Sequence, residues 1–300
     1  MKLFSYTLDN ENYAIGVETD DINVDLSAAL EIYQSAQGSK NPVMIPFLQM
    51  LIEMRYCSGE LIKSVLSEPW VKSKKKEIEV PENFIIKPPV ARPSKIICIG
   101  RNYKAHVKEL DHKVPDKPLF FAKAPSAIIG HNENIVIPSW LDTRVDHEAE
   151  LGVIIGKQIK NLNEDEVQDA IAGYTIVNDI TARDMQKHDI KNGNPWFQSK
   201  SLDTFMPVGP YIIPADMLEN PENLDITLKV NGEVRQQGNT KDMIFNIKQI
   251  VSHISGFMTL EPGDIIATGT PEGVSPIKPG DTVEITISGL GTLVNNVVKE

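Results

Sequence analysis

Cysteine is nearly missing from this chain: Cys57 and Cys98 are the only two in 300 residues. Two thiols without metal-like spacing exclude a disulfide framework and a thiolate metal centre, and they suit a reducing cytosol. Both read as small buried hydrophobes. Long apolar runs are missing too. No stretch reaches the ~18 uninterrupted apolar residues of a membrane helix. The opening Met1-Lys2-Leu3-Phe4 runs into Asp9, Asn10 and Glu11 without the apolar core of a signal peptide. The expectation is a cytoplasmic protein with no membrane partner. Positive charge is also in deficit, with 30 Lys and Arg against 41 Asp and Glu and a formal charge of −11. That balance argues against nucleic acid as a partner, and it means that anionic substrates must be held by a local positive site.

Two nucleophile- and phosphate-related signatures are absent as well. There is no His-Glu-x-x-His zinc helix, and Gly269-Thr270-Pro271-Glu272-Gly273 lacks the Gly-Lys-Ser/Thr ending of a phosphate loop. No internal repeat or low-complexity segment occurs.

What the chain does have is a set of carboxylates at the edges of apolar runs. Asp146-His147-Glu148-Ala149-Glu150 leads into Leu151-Gly152-Val153-Ile154-Ile155, and Asp179 ends Ile176-Val177-Asn178-Asp179. Residues i and i+2 of a strand share one face, so Glu148 and Glu150 point the same way. Charged strand ends are often simply solvated. Here the acid pair flanks a run that should be buried, which is costly unless something neutralises it. An all-oxygen, anionic ligand set favours Mg²⁺, Mn²⁺ or Ca²⁺ over zinc. His147 alternates to the opposite face from both glutamates and reads as structural. His106 and Glu109, three apart on an expected helix from Asn102 to Leu110, are neighbours on its surface and make a candidate base pair. Arg101, Lys123, Arg183 and Lys200 are the candidates for holding an acid, with Gln186 beside them.

Residues 1–75 read as a small α+β unit: strands at Leu3–Thr7 and Tyr13–Val17, then helices near Leu26–Gln37 and Met44–Cys57. The basic run Lys72-Ser73-Lys74-Lys75-Lys76 reads as a solvated connector. Pro81, Pro88, Pro89 and Pro93 stiffen a linker over residues 76–93. From residue 94 the pattern is mostly strands: Lys95–Gly100, Leu119–Ala122, Ala127–Ile129, Glu150–Ile155, Tyr174–Val177, Val208–Ile213, Ile226–Val230, Ile265–Ala267 and Val283–Ile287. Asn231-Gly232 marks a two-residue hairpin. Besides the one from Asn102 to Leu110, helices are expected at Glu164–Ala172, Ala182–Asp189 and Met243–Met258, too few for a doubly wound sheet or a TIM barrel.

Five motifs occur in order: Gly100-Arg101-Asn102-Tyr103-Lys104-Ala105-His106, Asp146-His147-Glu148-Ala149-Glu150, Asn178-Asp179-Ile180-Thr181-Ala182-Arg183-Asp184, Lys200-Ser201-Leu202-Asp203 and Gly263-Asp264-Ile265-Ile266-Ala267-Thr268-Gly269-Thr270-Pro271. Over about residues 94–300 the chain resembles the fumarylacetoacetate hydrolase superfamily, closest to its acylpyruvate hydrolase and oxaloacetate decarboxylase branch. The resemblance implies a mostly β, mixed β-sandwich roll and a homodimer. It implies a site in which Glu148, Glu150 and Asp179 hold Mg²⁺ or Mn²⁺. It further implies that His106 and Glu109 on a helical lid activate water, and that Arg101, Lys200 and Thr270 bind the head of a small 2-oxo acid. Some superfamily members carry an extra aspartate ligand upstream of this histidine. Arg101–His106 has none, which weakens any claim to fumarylacetoacetate itself.

The activity so implied is metal-dependent cleavage of a C–C bond in a 2-oxo acid through a metal-bound enolate, as oxaloacetate decarboxylation, acylpyruvate hydrolysis or both. An isomerase of unsaturated 2-oxo diacids, of the 2-hydroxyhepta-2,4-diene-1,7-dioate type, would use the same enolate. A catalytically quiet metabolite-binding protein on the same fold is the non-enzymatic alternative.

Overall fold

A computed structural model describes residues 1–19, 22–109 and 113–300. Its largest sheet runs in the order β3 (Asn23–Asp25), β2 (Tyr13–Glu18), β1 (Lys2–Thr7), β13 (Met206–Pro214), β11 (Ile171–Asn178), β10 (Ala149–Ile155), β16 (Ile265–Ala267), β5 (Ile96–Gly100), β6 (Leu119–Lys123). β4 (Ile85–Lys87) pairs with β1, and β7 (Ile128–Ile129) with β13. A second sheet is ordered β15 (Glu233–Asn239), β14 (Asp225–Val230), β18 (Thr282–Ile287), β19 (Gly291–Lys299), β8 (Ile135–Ile137). A short third one joins β12 (Thr181–Ala182), β9 (Val145–Asp146) and β17 (Pro276–Ile277). The mostly-β α+β class read from the sequence is the one found.

Every residue of β10 and β11 is buried, because both faces of the large sheet are covered. Alternation decides which side chain goes where. On one face Leu151, Val153, Ile97 and Ile266 share a core with Ile226, Leu228, Ile285 and Leu293 of the second sheet. On the other, Ile154, Ile96, Cys98 and Ile265 share a core with Leu3, Ile15, Leu30, Leu48 and Leu51 of the N-terminal segment. Residues 1–75 thus lengthen the large sheet and cover one of its faces, with α1 (Leu26–Ala36), α2 (Leu48–Glu53), α3 (Gly59–Ser67) and α4 (Pro69–Ser73) as the outer layer. Between the two parts, Ile85–Lys87 pair with β1. Lys72 to Lys76 are exposed.

The Asn231-Gly232 turn joins β14 to β15 with φ of 53° and 79°, the doubly left-handed pair that a tight hairpin needs. Several helices differ from their sequence pattern. The helix expected over Glu164–Ala172 is two 3₁₀ turns, Glu164–Glu166 and Gln168–Ala170, because Ile171 leaves to pair with Ile155 in the sheet. Pro46 disfavours helix at Ile45, and Phe47 is extended as the N-cap, so α2 begins only at Leu48. Asn246 caps α8 (Ile247–Phe257) through the Gln249 N–H, delaying its start from the expected Met243. α5 covers Lys104–Glu109 of the helix expected from Asn102, and Leu110, its expected last residue, lies outside the described residues. α6 (Arg183–Asn192) ends on left-handed Gly193 and is followed by α7 (Phe197–Lys200).

Candidate active site

Strand direction gathers the chemistry at one edge of the large sheet. β10 runs antiparallel to β11 and β16, and β16 runs parallel to β5. The start of β10 therefore lies beside the ends of β11, β16 and β5. Those four positions carry Glu148 and Glu150, Asp179, Thr270 and Arg101. Carboxylate oxygens of Glu148, Glu150 and Asp179 all lie within 4.8 Å of one another, and all three residues are buried.

Cations answer two of the three acids. Lys200 Nζ donates to Glu148 Oε2 at 2.8 Å and to Asp179 Oδ2 at 2.6 Å. Lys123 Nζ donates to Asp179 Oδ1 at 2.6 Å and to the Ile180 carbonyl at 3.1 Å. Arg183 clamps the other side, bonding Glu148 Oε1, Asp146 Oδ2 at 2.7 Å and Gln186 Oε1 at 2.6 Å. Among the described residues Glu150 receives only the Gly269 N–H, at 2.7 Å. Burial works to raise the Glu148 carboxyl, but Lys200 and Arg183 outweigh it and hold it well below the usual range. Burial, then Asp179 and Glu148, push Glu150 well above that range. Burial would lower the Lys200 and Arg183 pKa values, and the facing carboxylates raise both instead. A buried carboxylate among like charges, with no cation of its own and oxygen neighbours within reach, fits a hard divalent ion.

The triad opens on a cavity of about 50 Å³, by this measure roughly enough for three or four water molecules. Its lining includes Arg101, His106, Arg183, Gln186, Lys200 and Thr270. Of the sequence-predicted groups, Lys123 and Glu109 stand behind the wall. His106 is buried, with Nδ1 3.3 Å from Glu109 Oε2, and its Nε2 has no hydrogen-bond partner among the described residues. Glu109 in turn accepts the Gly273 N–H at 3.2 Å, tying α5 to the loop after Thr270. Arg101 has left-handed backbone (φ 59°), and its guanidinium lies 5.8 Å from the Trp196 ring centre. It has no carboxylate partner among the described residues. Lys200 has spent two of its three N–H donors, and Thr270 Oγ accepts from Gln236 at 2.8 Å while keeping its own O–H. A wider cavity of about 500 Å³ lies at the other side of α5, lined by Tyr103, Lys104, Lys241 and Asp242, and holds none of the acid triad.

His147 faces away from the acids: its nitrogens are 2.9 Å from Gln236 Oε1 and 2.9 Å from Ser275 Oγ. Burial lowers its pKa, so the neutral ring serves as a hydrogen-bonded strut. Two groups escaped the sequence reading. Asp146, fully buried and paired with Arg183 and Arg144, shares the i, i+2 alternation of the glutamates, so the signal was present. Gln236 carried none. It comes from β15 in the second sheet and joins His147, the Ala149 N–H and Thr270. Cys98 is buried and Cys57 half-buried; burial and Asp216 push the Cys57 thiol up to about 12, so neither is a nucleophile.

Comparison with known proteins agrees with this arrangement. The family model for the fumarylacetoacetate hydrolase C-terminal region matches residues 95–298. Over 217 residues the chain is 42% identical to the mitochondrial oxaloacetate tautomerase FAHD2A of Bos taurus, covering 70% of this chain and 68% of that protein. A maleylpyruvate hydrolase from Sphingobium sp. SYK-6, solved with manganese(II) and pyruvate, superposes with a TM-score of 0.77 at 31% identity, covering 100% of this chain and 99% of that one. A 2-hydroxyhepta-2,4-diene-1,7-dioate isomerase from Mycobacterium marinum gives 0.73 at 32%, with the same coverage. No helix among the described residues is long and apolar enough to cross a membrane.

Proposed function

The chain belongs to the fumarylacetoacetate hydrolase family, and from that premise we propose that it forms the enolate of a short 2-oxo acid and breaks the bond to C3. Oxaloacetate-type diacids and acylpyruvates are the substrates that fit. The observation that carries this reading is the pairing of an unanswered carboxylate, Glu150, with an unanswered cation, Arg101, across one small cavity. Glu148, Glu150 and Asp179 would hold Mg²⁺ or Mn²⁺, which supplies a Lewis acid for the 2-oxo oxygen.

The chain's own residues do the rest. Arg101 offers a planar two-donor fork to the substrate carboxylate, and Lys200 a third N–H. Thr270 has its hydroxyl proton to give. Four buried carboxylates, Asp146 included, face Lys123, Lys200, Arg183 and the part-exposed Arg144, so these charges cancel. A divalent ion and Arg101 then leave the site positive, which suits an anionic acid. His106, through Nε2, moves the proton: onto or off C3 during enolisation, or from water when a β-acyl group is attacked. Glu109 keeps its ring in place. Similarity to a tautomerase of oxaloacetate supports the enolisation step, and similarity to maleylpyruvate hydrolase supports the hydrolytic outcome. A homodimer is proposed from the family alone.

The test is exchange of C3 protons of pyruvate with D₂O, followed by turnover of oxaloacetate, acylpyruvates and dienedioates, each with Mg²⁺ and Mn²⁺. Metal-dependent exchange is expected. A chain that binds oxalate yet catalyses no exchange and turns over none of the panel would be a binding protein on this fold.

A further inference from the structure

Burial in the cavity runs in one direction. The acid triad sits at the closed end, nearly sealed from solvent, whereas Ile190, 40% exposed, and half-buried Trp196 stand at the open end with Arg101. A 2-oxo acid whose head lies at the triad must send its other end toward this mouth. The mouth is built as a stack. Arg101 lies over Trp196, the Trp196 ring centre is 5.4 Å from that of Phe121, and Lys200 Nζ lies 5.0 Å from the Phe121 centre. Aromatic pairs at this spacing and cations over ring faces attract one another, so the four groups brace each other.

The indole is also packed on backbone. A Cβ added to Gly100 would come 3.1 Å from Trp196 Cζ3, closer than ordinary contact, so glycine at the end of β5 lets the ring lie against the strand. The ring comes from the short turn between α6 and α7, where left-handed Gly193 stops α6. Its position is therefore fixed from both sides, by the strand beneath and by the Phe121 ring and the Arg101 guanidinium flanking it.

We propose that Trp196 is the specificity-determining wall of this site: it limits the substrate's distal group to a short one. The assignment rests on the functional reading above, since it takes the 2-oxo acid head to lie at the triad. None of the triad, His106 or Lys200 needs to move when Trp196 is shortened. Trp196→Ala lengthens the pocket at its mouth; it removes the ring beside Arg101 but leaves the triad, Lys200 and Thr270 to hold the head. Trp196→Phe restores a smaller ring.

The test is binding, which needs no turnover. Mn²⁺-loaded wild type, Trp196→Ala and Trp196→Phe are titrated with oxalate and with straight-chain 2-oxo acids from pyruvate to 2-oxo-octanoate, after thermal melts confirm that each is folded. Oxalate affinity should stay within a few-fold across the three proteins. Wild-type affinity should fall by about ten-fold or more at the chain length where the tail meets the ring. In Trp196→Ala that fall should move to a longer acid, with Trp196→Phe between them. Equal oxalate affinity with the same chain-length profile in all three overturns the Trp196 assignment and leaves the functional reading standing. Loss of oxalate binding in Trp196→Ala alone shows that the ring serves the head, and also overturns it. Failure of wild type to bind oxalate or any acid of the series overturns the functional reading and this proposal with it.

Discussion

At its C-terminal end β10 consists of Val153, Ile154 and Ile155, each packed against apolar neighbours on one face or the other of the large sheet. At its N-terminal end the same strand begins with Ala149 and Glu150, and Glu148 precedes it, both acids buried like the isoleucines. The apolar end stabilises the fold by removing surface from water, about 1.5–3 kcal/mol for each large aliphatic side chain. Burying the acid end is unfavourable by itself, and the arrangement persists because Lys200, Lys123 and Arg183 were placed against it from three other elements. Even there the compensation is uneven, since Glu148 has two cations and Glu150 none. One end of the strand holds the protein together, and the other is held in readiness for a charge from outside.

The sharpest way to break this contrast is to remove the acids. Glu148→Ala with Glu150→Ala should abolish Mn²⁺ binding and activity while the circular dichroism stays that of the wild type. Arg183 keeps Asp146 and Lys200 keeps Asp179, so no buried cation is stranded. Unchanged Mn²⁺ affinity by calorimetry would remove the metal assignment.

Next in size, His106→Ala and Glu109→Ala should cut acylpyruvate hydrolysis by about 10²–10⁴-fold, the usual worth of a general base. Oxaloacetate decarboxylation, which needs no attacking water, should lose much less. Steady-state kinetics on both substrates decides it, and equal losses in kcat would mean that the pair only orders α5.

At the apolar end, Ile154→Ala should cost about 2–5 kcal/mol of stability through the cavity it leaves. Denaturant melts give that figure, and oxalate affinity should not follow it. A parallel fall in affinity would show that the two ends are not separable.

The smallest effect concerns Glu150 without metal. Its folded pKa is raised, so relative stability is fully present below the unfolded carboxyl value and is lost as pH rises toward the folded one. In chelator, Glu150→Gln should therefore melt no higher than wild type near pH 4 and progressively higher toward pH 7. A gap that stays constant with pH would mean that Glu150 is ionised at no cost in the folded protein.

Much of this was written along the chain. Alternation put Glu148 and Glu150 on one face and His147 on the other, and hairpin chemistry at Asn231-Gly232 needed no partner to be read. Ordered motifs carried the family. Local pattern failed where a distant strand competed for the backbone, as at Ile171, whose sheet pairing ended what looked like a helix.

Sequence alone, then, determined the acids, the fold class and the residues at the edges of the strands, because strand periodicity and turn preference act over a few neighbours. Only the tertiary structure decided which cation answers which acid. Arg183 and Lys123, read as substrate holders, are spent on carboxylates, while Arg101 has no carboxylate partner among the described residues and Gln236 arrives from another sheet. Charge compensation depends on distance through space, and strand order in the sheet, not order in the chain, sets that distance.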